Sequence, residues 1–169
     1  MCTSFLTVGE NSEYPDGMPP RPDHPRFVNM GDEVAFAIAK QGEMIWRDLR
    51  FGITPSHSST MPLITTATEE RLETTEQWSQ MIRQRCAIPV HGHRWSHRQE
   101  WVSRPSGWAL GFYDLDEGGG AALISELIDG QRSLVLVGAD TVRSWLFAKQ
   151  WEALKVFRGA ERMPVAMAA

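Results

Sequence analysis

A chain of 169 residues, 42% of them hydrophobic, can bury a core without disulfides or metal, so one domain spanning residues 1–169 is expected. Its net charge of −4 excludes broad electrostatic attraction to nucleic acid, and any nucleic-acid role needs a local basic patch. No apolar run approaches the ~18 residues of a membrane span, no basic-then-apolar leader is present, and two cysteines make no disulfide framework; a soluble protein of the reducing cytoplasm, with no membrane partner, is expected.

The chain opens Met1-Cys2-Thr3-Ser4, and residues 8–26, with Gly and five prolines, read as irregular loop. Val34–Ile38 reads as a short buried strand, and Trp46–Ile53, apolar at Leu49, Phe51 and Ile53, as a half-buried one. Leu72, Trp78, Met81 and Ile82 among charged neighbours predict a helix over 69–84. Cys86–Val90 is a strand that Pro89 pushes toward an edge or a bulge. Trp108–Leu115 is a further strand, and 118–120 a glycine loop. Two apolar runs, 121–127 and 133–138, flank Asp129-Gly130 and predict a hairpin with a tight turn. Asp140-Thr141 reads as the N-cap of a helix through Trp145, Leu146 and Leu154, and Arg162–Val165 as a final strand. The fold class that follows is α+β, with several strands and about two helices.

Cys2 stands directly behind the initiator methionine, and a side chain this small normally permits removal of Met1. The freed residue would carry a thiol and an α-amine on one Cα, the amine with a pKa of about 8 and so partly neutral near pH 7. Such an amine condenses with an aldehyde to an imine, and the adjacent thiol then closes a thiazolidine ring, an intramolecular step helped by proximity. By itself a small residue at position 2 is also a common accident.

Four further segments carry a resemblance. Leu49-Arg50-Phe51-Gly52-Ile53-Thr54-Pro55-Ser56-His57 resembles an M-R-W-G-L-I-P-S-W motif. The segment 83–92, Arg-Gln-Arg-Cys-Ala-Ile-Pro-Val-His-Gly, resembles R-R-R-C-L-I-P-A-D-G, and Arg162-Met163-Pro164-Val165 matches R-M-P-V. Leu110-Gly111-Phe112-Tyr113 looks like an A-G-L-W/Y strand. In this order and behind Met-Cys, these segments resemble the motifs of the SOS-response-associated peptidase (SRAP) family, and the resemblance covers nearly the whole chain. It implies a strand-rich pseudo-barrel with a bifurcated β-sheet and a few helices. It also implies an activity, trapping abasic sites in single-stranded DNA as a thiazolidine DNA–protein cross-link through the N-terminal cysteine, with single-stranded DNA as partner and no cofactor.

The same resemblance implies Cys2, Thr66 and Glu70 as catalytic positions, with Thr66 where the family has Asn in N-A-R-x-E and Glu70 keeping its acid. Arg50, Arg85, Arg94, Trp95 and Arg162 are the implied DNA-binding positions. The chain departs from the family at its proton-transfer supports: Trp95 occupies the Glu position of G-F-Y-E-W, and Ala160 the His position before R-M-P. Neither transfers protons, a function typically worth about 10²–10⁴-fold in rate, so any cross-linking should be slow. The alternative is a phage- or mobile-element-related binding paralogue whose active site has eroded.

His91-Gly-His93 would point both rings to one side of a strand, and His97 could complete a zinc face. No acidic or thiolate ligand lies at a diagnostic spacing, so no metal is expected; the cluster reads as a polar rim, with His91 or His93 available as acid or base. Arg26, Arg47, Arg50, Arg83, Arg85, Arg94 and Arg98 flank the motifs, whereas acidic residues gather at 69–76 and 114–117. The arginines either track a phosphate backbone beside Trp46 or Trp95 or form an ordinary solvated surface. Cys86, in an apolar pattern, reads as a core thiol.

Overall fold

The computed structural model describes residues 2–7, 13–55, 60–74, 76–96, 99–115 and 119–164, with backbone only at 103–105. The strands are β1 (Ser4–Thr7), β2 (Phe27–Asn29), β3 (Glu33–Lys40), β4 (Glu43–Phe51), β5 (Thr66–Thr68), β6 (Arg85–Arg94), β7 (Val102–Asp114), β8 (Gly120–Ile128), β9 (Gln131–Leu134) and β10 (Leu136–Val137). The helices are α1 (Glu76–Met81), α2 (Ala139–Phe147) and α3 (Ala153–Gly159), with a 3-10 turn at Glu69–Arg71.

Strands β3, β4, β8, β7 and β6 pair in that order, and β6 pairs back to β3, closing a ring. The long strands are shared. On one edge β7 follows β6 from Phe112 to Val102, while its other edge serves β8 at Gly111–Asp114 and β10 at Trp108–Ala109. The free edge of β6 is divided between β3 at Cys86–Ala87 and β1 at Val90–Arg94. This divided pairing is the bifurcated, strand-rich α+β pseudo-barrel expected.

Period-two alternation sorts the apolar runs into two cores. Phe36 and Ile38, Cys86 and Ile88, Ala109, and Ala121 and Leu123 belong to one, together with Cys2 and Phe5. Ala37, Ala87, Trp108, Leu110, Phe112 and Ile124 face the other way, where Trp78, Trp145 and Phe157 from the three helices cover them. Burial on both faces explains why these strands are continuous apolar runs without polar alternation. Gly111 is required where β7 crosses β8, since a Cβ there would meet the Ala122 carbonyl oxygen at 2.3 Å.

Several sequence expectations are corrected. The helix over 69–84 is a 3-10 turn followed by the short α1, and the helix expected through Leu154 is two helices, α2 and α3, with Gly138 at the first N-cap. Arg162–Val165 makes an isolated bridge to Val137 instead of a strand, and Val165 lies outside the described residues. Pro89 is buried mid-sheet, partnered by Trp108 on one side. On its other side it stands at the break where β3 hands over to β1, a position where a proline interrupts no continuous ladder. The Asp129-Gly130 hairpin is present, both residues at positive φ (50° and 78°), as a two-residue type I′ turn requires.

Candidate functional site around Cys2

β1 enters the barrel wall from Cys2, and distant segments fix it there. Thr65 Oγ1 donates to the Cys2 carbonyl at 2.6 Å, the Thr3 amide donates to the Arg94 carbonyl at 2.8 Å, and the Met30 amide to the Thr3 carbonyl at 2.9 Å. Ser4 Oγ donates to Asn29 Oδ1 at 2.9 Å. Trp95 and Met163 pack against the apolar cluster that contains Cys2. The segments around 65 and 94, which the motifs singled out, are thus bonded to the first residues of the chain, while Met163 lines the larger cluster to which Cys2 belongs.

Thr65 was not among the sequence candidates. It directly precedes β5, its carbonyl accepts from the Leu123 amide at 2.9 Å, and β5 is locked in parallel register on β8 at Thr66 and Leu123. Neighbouring side chains on extended backbone leave on opposite faces, so only one of Thr65 and Thr66 can turn toward Cys2. The hydroxyl that reaches it is that of Thr65. The sequence signal was there, as two adjacent threonines, but choosing between them needs the strand register.

Cys2 is fully buried, and its Sγ–H donates to the Ser4 carbonyl at 3.3 Å. Burial pushes the thiol up to about 12, only partly offset by backbone hydrogen bonds from the Ser4 and Arg94 segments. The thiol is therefore protonated near neutral pH. In a processed chain the α-amine would be the group that attacks first, with the S–H adding afterwards.

The other expected site residues are dispersed. Glu70 is exposed and paired with Arg132 of β9 at 2.8 Å, which lowers its carboxyl pKa through the hydrogen bond. Arg50 donates to the Gly52 carbonyl (3.2 Å) and to Thr54 Oγ1 (2.9 Å). Arg85 is buried and donates to the carbonyls of Trp145 (2.7 Å), Ile82 (2.6 Å) and Ala148, so its guanidinium caps helix ends and is not laid out for phosphate. Arg162 is held by Glu126 (3.2 Å) and the carbonyls of Phe157 (2.6 Å) and Ala160 (2.8 Å). Arg94 lies half-buried with its guanidinium 5.1 Å from the Trp101 ring centre.

The histidines do not share a face. The register of β6 shifts between Val90 and Gly92, breaking the alternation; His91 is exposed, near Ser106 Oγ at 3.5 Å, while His93 is fully buried edge-on to Trp95. His97 lies outside the described residues, and among those described no cluster of three or more His, Cys, Asp or Glu is disposed to hold a metal. The indole N–H of Trp95 is buried without a hydrogen-bond partner among the described residues, an unspent donor at the position where a glutamate would stand in the resembling family.

No family model matches the chain, and none of the curated proteins matches it. Solved structures do. A phage-related protein of Bordetella bronchiseptica superposes with a TM-score of 0.75 at 17% identity, over 95% of this chain and 89% of that one. A second Bordetella bronchiseptica protein superposes with a TM-score of 0.67 at 16% identity, over 91% and 92%. At such identities the likeness is one of fold. No helix among the described residues is long and apolar enough to cross a membrane.

Proposed function

We propose that the chain is an SRAP-like protein that binds single-stranded DNA and traps abasic sites through Cys2. The observation that carries this reading is that the 65 and 94 segments are bonded to the first residues of the chain, the Thr65 hydroxyl holding the Cys2 carbonyl and the Arg94 carbonyl the Thr3 amide. Once Met1 is removed, the Cys2 amine condenses with the ring-opened sugar aldehyde, forming a C=N bond and releasing water. The thiol then adds across that bond: an S–C bond forms, the thiol proton passes to nitrogen, and the five-membered ring closes without an oxidant or cofactor. Trp95 Nε1 supplies a donor that a sugar hydroxyl would satisfy.

A second reading is a binding paralogue with an eroded reaction centre. The full burial of Cys2 and its raised thiol pKa favour it, as do Trp95 and Ala160 in the proton-transfer positions. The fold shared with a phage-related protein fits a mobile-element origin.

One assay separates the two. Protein shown by mass spectrometry to begin at Cys2 is incubated with a single-stranded oligonucleotide bearing one abasic site and run on a denaturing gel. A shifted band that disappears in Cys2→Ser is expected. If no band forms over many hours while the same oligonucleotide is retained in a native gel, the trapping reading fails and the binding reading stands.

A further inference from the structure

The register of β2, β1 and β6 assembles an outward face that the sequence did not reveal. Leu6 opposes Phe27, and Ser4 opposes both Asn29 and Arg94, so these side chains share one side of the sheet. Phe5, Val28 and His93, the intervening residues, are all fully buried on the other side. Trp101, just ahead of β7, adjoins Arg94 because Val102 pairs with His93. Phe27 is 58% exposed and Trp101 38%, yet their ring centres lie only 5.1 Å apart, tilted by 57°, and the Arg94 guanidinium sits 5.1 Å from the Trp101 ring.

We propose that Phe27, Trp101 and Arg94 form a stacking platform for the unpaired bases of a single DNA strand. The inference rests on the single-stranded DNA reading and gives it a surface. Exposed aromatic rings joined to an arginine plane suit a ligand with flat π-faces on an anionic backbone, the chemistry of a single strand. Gly92 opposes Leu6 and adds no side chain of its own to this face, whose floor there is Leu6. The Cys2 side chain packs with Phe5 and Val28 on the opposite side of this sheet, so the platform holds a strand along the outer wall and not over the thiol. Arg26 also borders the face, its guanidinium engaged by the Glu33 carbonyl. The attraction is mostly stacking, so salt dependence is shallow, no steeper than the slope of about −0.7 that a single phosphate contact gives.

Fluorescence anisotropy with a labelled oligo-thymidine tests the platform, using Phe27→Ala, Trp101→Ala and Arg94→Gln, with Trp151→Ala as the control. Trp151 is 73% exposed on the turn between α2 and α3, so it reports loss of any exposed aromatic ring. Each of the first two variants should bind about tenfold more weakly, the scale of one lost stacking contact, while Trp151→Ala binds as wild type. Thermal melts accompany each variant, so that a loss of binding counts only where the protein remains folded at the assay temperature. Wild-type binding that survives Phe27→Ala and Trp101→Ala overturns the platform and leaves the single-strand reading intact. No binding by wild type at any salt concentration overturns both. If sedimentation instead shows a dimer that dissociates in Phe27→Ala, the face is a self-contact and the proposal fails.

Discussion

The hydroxyl of Thr65 and the carbonyl of Cys2 meet at 2.6 Å although 63 positions separate them, and both residues are fully buried. A buried carbonyl stripped of its donor costs about 1–3 kcal/mol. Thr65→Val keeps the shape and removes only the hydroxyl, so it should lose stability in that range by urea denaturation, and Thr65→Ser should regain most of it. If Cys2 traps abasic sites, the Val variant should also lower the rate of cross-linking beyond what partial unfolding explains, with recovery in Ser. Thr66→Val makes the contrast, since its hydroxyl has no such partner to abandon. Equal loss in Thr65→Val and Thr66→Val would show that the contact is incidental to the site.

At the scale of elements, Arg85 joins α1 and α2 to β6. It opens β6, yet its guanidinium serves carbonyls at the C-terminal ends of both helices and stacks 5.7 Å from the Trp145 ring, whose own indole N–H donates to the Cys86 carbonyl at 3.1 Å. A cation at helix C-termini meets the negative end of each dipole, which makes up for much of its desolvation. Arg85→Met should therefore destabilise by roughly 3 kcal/mol, since it leaves more than one buried carbonyl unpaired, with the loss read from the urea midpoint. Arg85→Lys should recover only part, because one ammonium cannot span carbonyls that a planar fork reaches. The contrast with the sequence reading is physical. An arginine before Cys-Ala-Ile-Pro looks like a phosphate contact when only its neighbours in sequence are known, but apart from Ile82 its carbonyl partners lie some sixty residues away at the C-terminal end of α2. What was legible is what local chemistry sets: the apolar runs of β3, β4 and β6, and the Asp129-Gly130 turn with its positive φ. The shared face read for His91 and His93 failed, and Thr65 went unread beside Thr66, for one reason. Each depends on a register or a bulge set by strands elsewhere in the chain.

Across the whole molecule, the two cores place the thiols together. Cys2 and Cys86 both lie in the barrel-side cluster, fully buried among Phe5, Phe36, Leu49 and Ile88. Burial raises both thiol pKa values, Cys2 from 9.0 to about 12 and Cys86 further in the same direction. A group whose pKa is higher when folded binds its proton more tightly in the native state, so its stabilising contribution is complete below the unfolded pKa. It is lost as pH rises through the interval between the two values. Stability should therefore be flat through neutral pH with respect to these thiols and fall from about pH 9 upward, as the unfolded chain gains by ionising while the folded one cannot. Urea midpoints measured from pH 7 to pH 11 check this, with Cys86→Ala and Cys2→Ser as partners. Each variant should flatten the alkaline slope, and the double variant more than either. Cys2→Ser carries the further meaning. If the slope is unchanged in that variant, the Cys2 thiol is already open to solvent in solution, and the barrier that burial sets against its chemistry is gone.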